Sequence, residues 1–97
     1  MDEVPDALRV VHDPRELRFR IELAAGVAEL AYVPLSDSVL DLYSTWVPPE
    51  ERGRRVADRL VRAALAHARE AGLRVVPSCW YVRRWMDAHP EHADLLG

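Results

Sequence analysis

Residues 47–72 read VPPEERGRRVADRLVRAALAHAREAG, and this stretch decides the fold. Val47-Pro48-Pro49 stiffens and ends a strand, because proline cannot extend a hydrogen-bonded ladder. An Arg/Gly turn follows at Arg52-Gly53-Arg54-Arg55 and opens directly into a periodic apolar run. Val56, Ala57, Leu60, Val61, Ala64, Leu65 and Ala68 recur at helical spacing, with Asp58, Arg59, Arg62, Arg69 and Glu70 on the other side. That pattern predicts an amphipathic helix, stopped by Gly72 at its C′ position. The turn before it offers unpaired backbone N–H groups and the positive end of a helix dipole, the makings of a phosphate site.

Working outward, Arg18–Ala24 alternates, Phe19, Ile21 and Leu23 against Arg18, Arg20 and Glu22, which predicts a half-buried strand. A turn at Ala25-Gly26 leads to a second strand over Val27–Val33, so the two form a hairpin. Pro34–Ser38 reads as a loop and Val39–Val47 as a third strand. Beyond the helix, Leu73–Pro77 is a short valine-rich strand, Tyr81–Ala88 a short helix broken by His89-Pro90, and Glu91–Leu96 a last helical turn. The predicted order is β-β-β-α-β-α, an α/β mixed sheet of about four strands with a right-handed crossover and helices on at least one face. Residues 1–14 read as a loose arm with an extended piece at Leu8–Val11.

Composition bounds the function. Ninety-seven residues make one domain with one core. A net charge of −3 gives no pull toward nucleic acid or an anionic membrane. The arginines of the turn with Arg83 and Arg84 could form a phosphate-backbone patch, but the acid-rich remainder and the lack of a nucleic-acid-reading motif argue against it. All thirteen basic residues are arginine, so no lysine is present for Schiff-base chemistry. The single Cys79 excludes an internal disulfide and suits a reducing compartment. No apolar run reaches the length of a membrane span, and the acidic start MDEVPD lacks the basic region of a signal peptide, so a cytoplasmic location is expected. His12, His67, His89 and His92 are scattered without ligand spacing, and no metal site is expected.

The meander, the VPPEERG turn, the long helix, and RVVPSCWY (residues 74–81) followed by HPEH (residues 89–92) together resemble the minimal single-domain N-acetyltransferases of the GNAT superfamily. The resemblance runs from about Arg18 to Leu96, with the PSC segment its more specific signal. It implies acetyl-CoA as donor and an amine, of unknown identity, as acceptor. It implies that the strand before the turn splays from the strand after the helix, that pantetheine pairs with the first strand's backbone at Val47, and that the pyrophosphate rests on Arg52, Gly53, Arg54, Arg55, Val56 and Ala57. It also brings Cys79 and Tyr81 near the thioester. Cys79 is then a thiol in the cleft, or else a small buried hydrophobe. Tyr81 is a proton donor to the departing thiolate, or else an aromatic ring packed on the sheet.

Two positions depart from the family's pattern. Arg55 stands where a second Gly or Ala is usual, and could either block the phosphates or add a charge-assisted contact to them. Ser44-Thr45-Trp46-Val47 stands where the small members usually read His-Thr-x-Val, so the histidine that would serve as general base is a serine. The alternative is therefore a degenerate domain that binds acyl-CoA or a protein partner without catalysis. Trp80 and Trp85 read as core or cleft wall, His67 as a solvated helix residue, and Glu50 and Glu51 as surface partners of the turn arginines. An exposed strand edge of the first hairpin could pair in a homodimer.

Overall fold

A computed structural model describes residues 8–97; residues 1–7, half of the N-terminal arm, lie outside the described residues. Five strands form one sheet in sequential order: β1 (Val11–Asp13), β2 (Arg18–Leu23), β3 (Gly26–Ser36), β4 (Val39–Trp46) and β5 (Arg74–Val76). The first four pair antiparallel and β5 adds parallel to β4. Helix α1 (Val56–Ala71) makes the crossover between β4 and β5, and α2 (Trp80–Ala88) follows β5. Short 3-10 turns occupy Pro49–Glu51 and Pro90–Leu95.

The β-β-β-α-β-α order stands, with corrections. The extra strand is Val11–Asp13, displaced from the expected Leu8–Val11: it is the segment that pairs with Arg18–Arg20 of β2, and Asp13 takes the Arg20 guanidinium at 2.8 Å. Pro34–Ser36 is not loop: β3 continues to Ser36, and only Asp37-Ser38 turns. The first hairpin turns at Ala24-Ala25, one residue early, with Gly26 (φ 141°) opening β3.

One face of the sheet carries the core. Phe19, Ile21, Ala28, Leu30, Tyr32, Leu40, Leu42 and Val75 are buried there beneath Val56, Leu60, Val61, Ala64, Leu65 and Ala68 of α1 and Val82, Trp85 and Met86 of α2. Ala64 and Ala68 let α1 lie close to the strands, while the leucines fill the space between. Burying each leucine or valine is worth about 1.5–3 kcal/mol. The opposite face is polar and open, with Arg18 paired to Glu29 and Arg20 to Asp13. α1 ends as expected at Gly72 (φ 72°): its N–H bonds Arg69 O and the Leu73 N–H bonds Ala68 O at 2.8 Å, a closure that needs a left-handed residue.

Two features of β4 position the site. The register with β3 runs Ala31↔Ser44 and then Tyr32↔Leu42, so Tyr43 is an extra residue, a bulge that bends the strand. β4 also pairs with β5 only through Val39, Leu40 and Asp41. Past the bulge the two strands part.

Candidate active site

The last backbone tie to β4 as the strands part is the N–H of Cys79, just beyond β5, donated to Leu42 O at 3.0 Å. Beyond it a cleft of about 540 Å³ opens between the end of β4 and the start of α2. Thr45, Trp46 and Val47 form one wall, Cys79, Trp80 and Tyr81 the other, and Glu51, Arg52, Gly53, Arg55, Val56 and Ala57 close one end. At the join of the walls, Thr45 Oγ1 lies 3.4 Å from Cys79 Sγ.

The closing turn is shaped by two left-handed residues. Gly53 has φ 86°, and a Cβ built on it meets nothing within 4 Å, so its requirement is torsional and not steric. Arg55, the N-cap of α1, has φ 63° and ψ 26°. The position is thus a glycine-type one held by arginine at a cost of roughly 1–2 kcal/mol. The turn forms all the same, and Arg55 O receives the first helical bond from Arg59 N at 3.2 Å. Among the described residues no side chain caps α1, so none of them competes with an anion for the first-turn N–H groups at the cleft.

Of the residues expected at the site, Val47, Arg52, Gly53, Arg55, Val56, Ala57, Cys79 and Tyr81 all line this one cleft. Arg54 does not. Its guanidinium turns back to Glu51 at 2.5 Å, and Glu51 is 6% exposed. The expectation of a surface glutamate is corrected accordingly: a buried carboxylate requires a partner, and Arg54 is that partner. Arg52 does a different job from simple phosphate contact, donating Nε to Val47 O at 3.0 Å and lying 5.0 Å over the Trp46 ring. A ligand using the Val47 carbonyl therefore shares it with Arg52. Ser44 is exposed on the open face of β4, opposite Ala31.

Cys79 is 8% exposed and caps α2 in extended conformation, so it is both cleft lining and small buried side chain. Tyr81 is half-buried, and burial, with the negative charge of Asp58 in addition, pushes its phenol up. It therefore keeps its proton at neutral pH. Trp80, 70% exposed, stands edge-on to Tyr81 at 6.0 Å on the cleft rim, whereas Trp85 is core.

Residues that sequence reasoning missed are Thr45, buried Glu51 and Asp58. Asp58 accepts from Trp85 Nε1 at 2.7 Å and from Arg62 Nε at 2.9 Å. Burial pushes this carboxyl up, but those two bonds and the charges of Arg62 and Arg55 hold it below the usual carboxylate range. Its position in the first turn of α1 was the available signal. His67 is also corrected: it packs edge-on against His12 at 4.4 Å and near Phe19, not free in solvent.

The mixed sheet whose parallel strands part beside the start of a helix is the GNAT-like fold that the resemblance implied, and the comparisons agree on the family. A family model described as GCN5-related N-acetyl-transferase matches residues 18–95. The chain is 34% identical over 85 residues to protein NATD1 of Homo sapiens, covering 86% of this chain and 75% of that one. It is 31% identical over 98 residues to protein NATD1 of Danio rerio, covering 97% and 89%. A GCN5-like protein of Staphylococcus aureus solved by NMR superposes with a TM-score of 0.72 at 21% identity, over 94% of this chain and 89% of that one. The chain belongs to the GCN5-related N-acetyltransferase family.

Proposed function

We propose that this domain is an acetyl-CoA-dependent N-acetyltransferase acting on an amine. The observation that carries the reading is the gap between β4 and β5 ending at the uncapped start of α1. In this reading the pyrophosphate rests on the N–H groups of the turn and of Val56 and Ala57, with Arg52 and Arg55 supplying positive charge. Pantetheine runs along the Thr45–Val47 wall, and the thioester reaches the Thr45–Cys79–Tyr81 junction.

The step itself is direct transfer. The lone pair of a neutral amine forms a C–N bond to the thioester carbonyl carbon, and the C–S bond breaks as the tetrahedral intermediate collapses. The attacking nitrogen loses a proton to water, and the departing thiolate gains one from Tyr81, which is protonated at neutral pH. Holding the two reactants in one cleft supplies much of the rate. Cys79 acts as a wall and contact for the acetyl end. It is not needed as an acyl carrier.

A second reading, acyl-CoA binding without turnover, has two observations in its favour: Ser44 is exposed on β4, and Glu51, the one carboxylate lining the cleft among the described residues, is engaged by Arg54. The test is an amide-resolved NMR titration with acetyl-CoA, joined to thiol release over a panel of amines. Shifts at residues 52–57 and 79–81 with amine-dependent thiol release support the enzyme. Shifts without release, and release gained on Ser44→His, support the second reading. Shifts elsewhere contradict both.

A further inference from the structure

One polar tie joins the two helices. Asp58 Oδ1, in the first turn of α1, holds Trp85 Nε1 of α2 at 2.7 Å, and Oδ2 takes Arg62. Trp85 is 6% exposed, and its ring is stacked by His89 at 3.8 Å and 12° and faced by the Arg62 guanidinium at 5.1 Å. An indole stacked by an imidazole, approached by a guanidinium and held at its N–H is fixed in orientation. Asp58 lies within one helical turn of Arg55 at the phosphate end of the cleft, and Trp85 about one turn from Tyr81 at the other.

Resting on the acetyltransferase reading, we propose that Asp58 is a positioning residue for the transfer. Through Trp85 it fixes α2 against the start of α1, and so sets where Tyr81 stands relative to the phosphate turn. Its charge also acts directly on the Tyr81 phenol. The other charged or titratable groups around Tyr81 are Glu51, Arg52, Arg55 and Cys79 in the cleft and Arg84 and His89 along α2. Burial is the larger cause that holds the Tyr81 phenol up, and the charge of Asp58, itself paired with Arg62, adds to it.

Two substitutions separate the tie from the charge. Asp58→Asn keeps an acceptor for Trp85 and removes the charge; Trp85→Phe removes the donor and keeps the charge. Tyr81 ionisation is followed by ultraviolet absorbance, as the difference from Tyr81→Phe, and needs no acetyl-CoA. Asp58→Asn is expected to move that ionisation to lower pH and to carry the alkaline limb of the kcat profile with it. KM for acetyl-CoA should stay within about twofold. Trp85→Phe is expected to lower kcat about tenfold by misplacing Tyr81. Unchanged Tyr81 ionisation in Asp58→Asn, or wild-type kcat and KM in Trp85→Phe, overturns the proposal. If the wild-type domain fails to bind acetyl-CoA, the functional reading falls, while the Tyr81 titration still decides whether Asp58 governs that phenol.

Discussion

Arg55→Gly should make the domain more stable and the cleft a poorer anion site at once. Arg55 holds φ 63° and ψ 26°, and its side chain is exposed and forms no ion pair among the described residues. A side chain in the left-handed region costs roughly 1–2 kcal/mol. Glycine returns about 0.4–1 kcal/mol of that through its freer unfolded chain. The balance is a gain of about 0.5–1 kcal/mol, or roughly 2–8 °C in Tm for a domain of this size. Arg55→Ala is the control, because it removes the same charge and keeps the positive φ. Thermal unfolding followed by circular dichroism compares the three proteins. The expected order is Gly above wild type and Ala at or below it, with both variants binding acetyl-CoA about two- to fivefold more weakly for want of the cation. A glycine variant that melts no higher than the alanine variant would refute the torsional account.

Gly53→Ala should destabilise the domain by about 1–2 kcal/mol, seen in urea unfolding, since the added Cβ meets no neighbour and only φ 86° opposes it. Tyr81→Phe should lower kcat about a hundredfold with little change in KM for acetyl-CoA, whereas Cys79→Ala should keep most activity; the reverse pattern in steady-state kinetics would make Cys79 the reacting group. Asp58 has a folded pKa held low, so its ionised form stabilises the fold above the ordinary unfolded carboxylate value of 3.8, and that contribution disappears as pH falls through the folded value. Asp58→Asn should therefore cost stability at pH 7 and progressively less in acid. His12 is held low by burial and by His67 against the raising effect of Asp13, so its neutral form is the one that fits. Its contribution is present above about pH 6.5 and lost as pH falls below it, so His12→Gln should flatten the dependence of the urea midpoint between pH 7 and pH 5.

The long helix, the hairpin and the crossover were legible because their signals are local: the apolar repeat of Val56–Ala68, the alternation of Phe19, Ile21 and Leu23, and Gly72 as a stop. The Tyr43 bulge was not legible, since a bulge is a mismatch between two strands and neither strand carries it alone. The same holds for Val11–Asp13, whose three residues become a strand only against Arg18–Arg20. At the site, a resemblance gathered Arg52, Gly53, Arg55, Cys79 and Tyr81 into one place, and they do line one cleft. It could not say that Arg54 would spend its charge on Glu51, or that Asp58 and Trp85, 27 positions apart, would meet. Those pairings are set by how the helices lie on the sheet. The left-handed backbone at Arg55 was signalled only by the resemblance, which places a Gly or Ala there; arginine itself gives no hint of positive φ.

The most direct test of the central claim is calorimetric titration of acetyl-CoA, and of CoA, into the wild-type domain. Binding in the micromolar range, weakened by Arg55→Ala and by raised salt, is the result that an anion-accepting turn beside the parted strands predicts. No heat at millimolar ligand would contradict it and leave the acetyltransferase fold of this chain with another task.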